Sequence, residues 1–278
     1  MDNNWIIDNL NYAFTLWNDK LTEMWSLLTQ SPQAFKGGTI WRTIQTVNGA
    51  MQGIGYGLLV LFLAIGIFRS GVGFRDFRRP EYVLRHFLYF VMAKLAVTYG
   101  IDLMMDIFVV CAGIISAAAG SVGGIEGAAV ALPGEIVTAI EGVGFLASIP
   151  LWLVTLLGCL LITVLAFLMI LTVYARFFKL YLYAALSPVA LASFAGEGTS
   201  QMGRAFLKSY VGVCLEGAVI VLACIVYSAF ASSGSTALGG GSAVTRVWSY
   251  LGEVIFNMLV LVGLVKGADR VVREMFGM

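Results

Sequence analysis

Charged side chains that interrupt apolar stretches are the residues of this chain with the clearest capacity for chemistry. Lys94, Asp102, Asp106 and Glu216 each lie among long runs of hydrophobic residues. Asp102 and Asp106 are four residues apart and therefore share one face of a helix. Because a charge is costly in lipid, such side chains normally face a bundle interior, a partner or water. They are candidates for a polar path through the protein or for an interface between subunits.

A second interpretation stays open for the two aspartates. At the helical rise they lie roughly 26 and 32 Å beyond Arg85, so they could instead mark the outer membrane interface. Glu216 lies about 12 Å from Lys208 by the same measure, and we expect it to be neutralised, hydrogen-bonded or subunit-facing. Glu253 and Asn257 form a further polar pair, one helical turn apart in the last apolar run.

Basic residues are concentrated in two stretches, GFRDFRRPEYVLRH at residues 73–86 and the region 176–209. Such cations could contact a cytoplasmic partner, a transported substrate or anionic lipid. They could equally do no more than anchor the topology, since short cytoplasmic loops collect Lys and Arg. The candidates for substrate or partner contact are Arg75, Arg78, Arg79, Arg176, Lys179, Arg204 and Lys208.

Catalytic and metal-binding motifs are missing from the sequence. It contains no Walker lysine motif, no GxSxG and no HExxH, and its 4 cysteines show no CxxC spacing. The single histidine, His86, stands in the first basic stretch. A serine hydrolase needs a general base beside its nucleophilic serine, and Ser187 has none in its own segment. We therefore expect no enzymatic activity, no cofactor and free buried thiols.

The composition identifies the elements that must position these side chains. Hydrophobic residues make up 59% of the chain and charged residues 12%, whereas about a quarter of a soluble protein is charged. The mean hydropathy is +0.89. We expect an all-α membrane protein with about five transmembrane helices. The predicted spans are 48–68, 87–118, 149–178, 208–232 and 248–265.

The N-terminal region is predicted to be a separate amphipathic part of the chain. Apolar residues recur every three to four positions from residue 3 to residue 30, with Asn, Asp and Lys between them. Such a helix could lie at the membrane surface, or pack against its own bundle or a neighbouring subunit. We expect residues 1–46 to form an extracytoplasmic helical region and residues 47–278 the transmembrane domain. The first thirty residues show no cleavable secretory signal.

The stretch 180–196 is predicted to be a re-entrant or interfacial segment. As a helix it would reach only roughly 24 Å, less than the roughly 30 Å of the hydrocarbon core. Pro188 also disfavours helix at Ser187 and lacks a backbone donor. We therefore expect the segment to return to the side from which it entered.

The distribution of cations favours this returning topology. With five spans and an outer N-terminus, four cations lie outside, namely Lys20, Lys36, Arg42 and Arg246. Twelve lie inside: Arg69, Arg75, Arg78, Arg79, Arg85, Arg176, Lys179, Arg204, Lys208, Lys266, Arg270 and Arg273. A crossing segment would instead give eight on each side. Since cations collect inside, the count indicates an inner C-terminus.

Long stretches of the chain resemble a known family. They are NWIIDNLNYAF, GFRDFRRPEYVLRHF, AIEGVGFLASIPLWLVTLLG, YARFFKLYLYAALSPVALASFAGEGTSQMGRAFLKSYVGVCLEGAVIVL and FNMLVLVGLVKGADR. Together they resemble the TrbL-like polytopic subunit of type IV secretion and conjugation systems, in the compact form of mobile elements of Gram-positive bacteria. The large soluble C-terminal extension of some longer members is not seen in this sequence.

The resemblance implies a plasma-membrane component of the mating-pair apparatus, with an outer N-terminus, five spans and an inner C-terminus. It also implies a ring-like homo-oligomer below the pilus or stalk, for which five-fold symmetry is a guess by analogy. The implied partners are cytoplasmic ATPases, pilus or stalk proteins, membrane lipids and transferred single-stranded DNA.

Two functions remain open at this point. The first is a non-enzymatic scaffold and conduit subunit of a conjugative secretion system, whose loss would abolish DNA transfer. The second is a channel or transporter for ions or small solutes, using Lys94, Asp102, Asp106 and Glu216. That alternative requires the four side chains to converge, and it predicts ion flux through the isolated protein.

Overall fold

The computed structural model describes residues 4–69, 80–120, 129–196, 198–233 and 242–277. Within these residues the regular structure is helical, with no strand, which confirms the all-α prediction. Short 3₁₀ turns lie at Phe35–Gly38 and Ala192–Ala195. The α-helices are α1 (Asn4–Thr29), α2 (Thr39–Arg69), α3 (Pro80–Thr98), α4 (Gly100–Gly120), α5 (Gly134–Glu141), α6 (Phe145–Leu191), α7 (Ser200–Ser233) and α8 (Ala243–Phe276).

Five helical stretches are long and apolar enough to cross a membrane, as predicted. They are Phe35–Arg69, Gly100–Gly120, Ile149–Ala195, Ser200–Phe230 and Val244–Phe276. Four of these helices are longer than the predicted spans, whereas the span predicted at 87–118 is divided between α3 and α4. With 47 residues, α6 extends about 70 Å, more than twice the thickness of a hydrocarbon core.

Large apolar side chains are exposed on these helices. On α6, the large side chains Leu153, Leu157, Leu160, Val164 and Leu171 are exposed at intervals of three, four or seven residues. A continuous apolar face of this size would be a liability in water. In a bilayer it is the face that lipid or another subunit covers.

The chain divides into two compact units. The first consists of Met1–Thr29, Ile115–Ala175 and Val219–Arg270, and the second of Gln30–Ile114, Arg176–Ala218 and Val271–Met278. The boundary expected between residues 46 and 47 does not coincide with this division, because it falls inside α2. Residues 30–46 instead belong to the same unit as the rest of α2.

In the first unit, α1 is held by the protein's own residues. Its stripe of Ile6, Leu10, Trp17, Leu21 and Leu28 is buried. The Asn18 amide forms two hydrogen bonds with the backbone of Val130, at 2.8 and 3.0 Å. The Tyr174 hydroxyl of α6 donates to Glu23 Oε1 at 2.8 Å. Of the two interpretations of this helix, the packed one fits the structure.

In the second unit, α6 does not break at Ser187 and Pro188, contrary to the expectation. It continues as α-helix to Leu191. Pro188 has no N–H, so the carbonyl of Ala184 loses its usual helical donor. Two side chains replace that donor: Asn48 Nδ2 of α2 lies 2.7 Å from the Ala184 oxygen, and Ser187 Oγ lies 2.9 Å from it. The neighbouring helix thus satisfies the group that the proline leaves unpaired.

Two glycines let the neighbouring helices approach this part of α6 closely. A Cβ at Gly55 of α2 would lie only 2.9 Å from the carbonyl oxygen of Pro188. A Cβ at Gly100 of α4 would lie 2.9 Å from Leu191 Cδ1 and 3.2 Å from Ser187 Oγ. The contact at Gly55 is with backbone, which cannot move aside, so the packing requires glycine there. At Gly100 the contacts are with side-chain ends, which would have to shift to admit a larger residue.

Contacts between α2 and the stretch 181–198 occur in the same order along both. The neighbouring pairs are Trp41 with Tyr181, Asn48 with Ala184, Gly55 with Pro188, Phe62 with Gly196, and Arg69 with Gly198. A segment that turned back would meet α2 in reverse order over its second half. The returning path expected for 180–196 is therefore not formed: the segment runs parallel to α2 up to the end of that helix.

Candidate functional site

A cluster of charged residues joins α6 to α7 inside the second unit. Arg176 is 1% exposed. Its Nε donates to the carbonyl oxygen of Val213 at 3.2 Å, and its Nη2 donates to that of Cys214 at 3.1 Å. Both carbonyls belong to α7, so a cation on one helix binds the backbone of the next.

The guanidinium of Arg176 has room because α7 carries glycine beside it. A Cβ at Gly217 would lie 2.5 Å from the guanidinium carbon and from Nη1. On another side, the ring of Phe108 lies with its centre 6.0 Å from the guanidinium carbon, a distance at which a cation is attracted to the ring. Glycine, aromatic ring and two carbonyls together form the pocket of a buried cation.

Glu216 lies next in sequence to Gly217 and has a cationic partner. Lys179 Nζ lies 3.3 Å from Glu216 Oε2, with 3% of the glutamate side chain and 35% of the lysine side chain exposed. Lys179 is three residues from Arg176 and lies on the same side of α6. The carboxylate thus has the partner that a charge in an apolar helix requires.

This cluster can connect helices, but it lacks the parts of a catalytic centre. Its cations bind carbonyls and a carboxylate instead of an activated nucleophile. Among the residues that the structure describes, no group of three or more His, Cys, Asp and Glu side chains is placed to hold a metal ion. The burial of Arg176 also removes it from the surface, so the protomer does not offer it for the substrate or partner contact expected from the sequence.

Three other candidate charges differ from this cluster in their exposure to the surroundings. Lys94 on α3 and both Asp102 and Asp106 on α4 are exposed, whereas Glu216 is buried. The backbone ladder continues from α3 into α4, with hydrogen bonds from Tyr99 N to Leu95 O and from Leu103 N to Tyr99 O. The three exposed charges therefore lie on one nearly continuous helical stretch, and the protomer does not gather all four side chains into one polar path.

The remaining candidates are divided between surface and partly buried positions. Arg204 and Lys208 are exposed on the first turns of α7. Glu253 and Asn257 are half-buried on α8, in the first unit. Ser187 and Pro188 are buried against α2 and α4. Three further candidates lie outside the described residues, namely Arg75, Arg78 and Arg79.

Three side chains that the sequence reasoning did not single out cross-link the second unit. Asn48 donates to Ala184, the Tyr181 hydroxyl donates to Pro32 O at 2.8 Å, and the Tyr210 hydroxyl donates to Met104 O at 2.7 Å. Each is buried. A signal existed for Asn48. An amide at the start of an apolar span needs a hydrogen-bond partner, and a proline in another apolar segment leaves the carbonyl four residues before it without a donor.

Comparison with known proteins places this helical architecture in a family. A family model described as TrbL/VirB6 plasmid conjugal transfer like protein matches residues 17–188, which is more than half of the chain. The matched part includes α2 to α5 entirely and ends at the proline that packs against Gly55. No curated protein and no solved structure gives a significant match. The chain therefore belongs to the TrbL/VirB6-like family of plasmid conjugal transfer proteins.

Proposed function

We propose that this chain is a non-enzymatic scaffold and conduit-forming subunit in the plasma membrane of a conjugative type IV secretion system. Its family membership supports a role as a membrane subunit of conjugal transfer. The absence of catalytic motifs from its sequence supports a role without chemistry of its own. On this proposal it supports pilus or stalk assembly and the passage of DNA and protein substrates.

The observation that carries the proposal is the exposed charge on an otherwise apolar helical surface. Lys94, Asp102 and Asp106 are exposed beside large apolar side chains such as Leu95 and Leu103. At the bilayer centre a charge of this kind costs about 2.5 to 3.5 kcal/mol by insertion scales. The cost is offset if Lys94 of one copy meets Asp102 or Asp106 of the next, or if the three face a water-filled lumen.

Both arrangements require several copies of the chain around a common axis. We propose a closed homo-oligomeric ring, since a repeated heterologous contact closes into a ring when its rotation permits. The number of copies does not follow from the protomer, and five remains the value suggested by analogy with the family.

We also propose an orientation, which is supported by the order of contacts between α2 and the stretch 181–198. If α2 crosses the bilayer from outside to inside, this segment crosses beside it in the same direction. Arg204 and Lys208 then stay at the inner end, where cytoplasmic ATPases and the entering substrate are expected. Arg176 and Lys179 then lie at the outer end, and the count of cations becomes ten inside against six outside. The preceding residues 149–175 of α6 then extend beyond the outer face of the bilayer, so on this proposal another subunit covers their apolar side chains. The N-terminus remains outside and the C-terminus inside.

Charge reversal tests the ring interface. In cells that carry the complete transfer system, Lys94→Asp is expected to lower both the oligomer yield and the frequency of DNA transfer, because like charges then meet. Adding Asp102→Lys or Asp106→Lys is expected to restore both. Arg42→Asp is the matched control, since Arg42 is also an exposed cation but lies on α2.

Two results would contradict the proposal. One is normal transfer by a strain that lacks the chain. The other is a set of Lys94 and aspartate variants that leaves both the oligomer in native mass spectrometry and the frequency of DNA transfer unchanged. Ion flux through the purified protein in liposomes, with transfer unaffected by its loss, would favour the solute-channel alternative.

A further inference from the structure

A cavity in the second unit combines an apolar wall with a basic rim. Its volume is about 600 Å³. This lies within the range of pockets that bind small ligands, roughly 300 to 1,000 Å³. The cavity lies between α3, the 3₁₀ turn after α6 and the first turns of α7. Its lining does not include Arg176, Lys94, Asp102 or Asp106.

The wall is built from side chains that suit a hydrocarbon chain. Tyr89, Met92 and Ala96 lie at positions i, i+3 and i+7 of α3 and therefore share one face. Phe194 closes the opposite side. Its ring is held against α7, because a Cβ at Gly203 would lie only 2.8 Å from a ring carbon. The wall is thus fixed in place by the same close helix packing that the rest of the unit uses.

The rim is basic. Arg204 and Gln201 of α7 line the cavity and are exposed. The guanidinium carbon of Arg85 lies 5.8 Å from the ring centre of Tyr89, which itself lines the cavity. The side chain of Arg69 lies beside Gly198, shortly before α7 begins: a Cβ on that glycine would be 3.2 Å from Arg69 Nη1.

An apolar wall next to cations selects an amphipathic anion. A free phosphate would use the rim and leave the wall uncovered, whereas a zwitterionic lipid would use the wall and gain little from the cations. Basic pockets between transmembrane helices bind anionic lipid headgroups. The proposed orientation also places this end of α2 and α7 at the inner leaflet, which is rich in anionic lipid.

We propose that the cavity binds one anionic phospholipid. The headgroup phosphate lies at Arg204 and Gln201, and an acyl chain lies along Tyr89, Met92 and Phe194. The bound lipid fills the space between α3 and α7, so it forms part of the folded protein in the membrane. This site is independent of the proposed role in DNA transfer.

Native mass spectrometry of the full-length protein in mild detergent tests the headgroup contact. We expect phosphatidylglycerol to bind more tightly than phosphatidylcholine. Arg204→Gln is expected to weaken the binding of phosphatidylglycerol about fivefold, the effect of one cation near the membrane surface. Lys208→Gln is the matched control: it removes the same charge one turn further along α7, at an exposed residue that does not line the cavity.

A second pair of variants tests the acyl chain. Met92→Trp is expected to fill the cavity and displace the lipid. Leu88→Trp, on an exposed position of the same helix that does not line the cavity, is expected to leave binding unchanged. Both positions are exposed, so neither change disturbs the core.

Four results would overturn the proposal. Equal binding of the two lipids would remove the role of the basic rim. Equal effects of the glutamine variants at Arg204 and Lys208 would place the lipid elsewhere. Displacement of the lipid by inorganic phosphate at the same concentration as the lipid would show that the site binds the anion alone and does not use the apolar wall. Loss of all lipid upon oligomer formation would instead assign the cavity to a neighbouring subunit.

Discussion

The two units hold their helices together in different ways. In the first unit, the polar contacts between separate segments are partly buried or exposed, as in those of Asn18, Tyr174 and Tyr250. The second unit also has such contacts, as in those of Gln52, Tyr56 and Lys179. In addition it has contacts that are fully buried, as in those of Asn48, Arg176 and Tyr210. Apolar side chains, among them the stripe of α1, pack the first unit, whereas buried hydrogen bonds add to the apolar packing in the second.

The difference indicates which changes the protein tolerates. A side chain at the edge of a helix pair can be replaced by water when it is lost. A buried carbonyl or cation has no such substitute, and its desolvation cost remains when its partner is removed. We therefore expect substitutions to destabilise the second unit more than the first.

The largest effect is expected at Gly217. Gly217→Val places a branched side chain where the guanidinium of Arg176 lies, and the cation cannot leave without losing its two carbonyl partners. Overpacking of this kind usually costs 1 to 3 kcal/mol, and here we expect about 3 kcal/mol or more. The measurement is the yield and the unfolding temperature of the protein in detergent.

Gly252→Val is the matched control for Gly217. A Cβ at Gly252 on α8 meets nothing within 4 Å, so the variant should fold like the parent, with a small gain in helix propensity because valine ranks above glycine. If the two valine variants unfold at the same temperature, the close packing around Arg176 does not contribute.

The next effect is expected at Asn48. Asn48→Ala removes one of the two donors to the Ala184 carbonyl and should destabilise the protein by about 2 kcal/mol, the cost of a poorly satisfied buried acceptor. In a Pro188→Ala background the restored N–H can donate to that carbonyl. The same Asn48 change should therefore cost about 1 kcal/mol less there.

A double-mutant cycle measured by denaturant unfolding provides the comparison. Additive effects of Asn48→Ala and Pro188→Ala would show that the asparagine does not compensate for the proline. A positive coupling, with the double variant more stable than the sum predicts, is the expected result.

Hydropathy and periodicity were sufficient to predict the helical class, the number of spans and the apolar stripe of α1. The path of residues 180–196 was not predictable in this way. A local rule ends a helix before Pro188, and that rule is overridden by Asn48 and Gly55, which are distant in sequence. Arg176 likewise looks like a topology anchor until Gly217 and Phe108 are known to surround it.

A smaller effect is expected in the first unit, at Tyr174. Tyr174→Phe removes the hydroxyl that donates to Glu23 but keeps the ring, and both groups are only partly buried. The loss should be about 0.5 to 1 kcal/mol by thermal unfolding. A loss as large as that of Asn48→Ala would contradict the contrast between the units.

The smallest effect is expected at Lys20, whose Nζ lies 2.6 Å from Glu23 Oε2. The carboxylate raises the pKa of Lys20 above its usual value. The resulting stabilisation is present below the unfolded pKa of about 10.4 and disappears as the pH rises through the folded pKa. Since the pair is solvent-accessible, Lys20→Gln should change the stability at pH 7 by less than about 1 kcal/mol.

The path of α6 beyond Lys179 is the feature on which this account depends, and labelling from the two faces of the membrane tests it directly. The four native cysteines are first changed to alanine or serine. A single cysteine is then introduced in place of Lys179 or of Gly198. The Lys179 variant also carries Glu216→Gln, so that the glutamate is not left without its partner. An impermeant maleimide is then added to intact cells or to inverted vesicles. The parallel path beside α2 predicts that the two cysteines react from opposite faces. Reaction of both from the same face would contradict it and restore a returning segment.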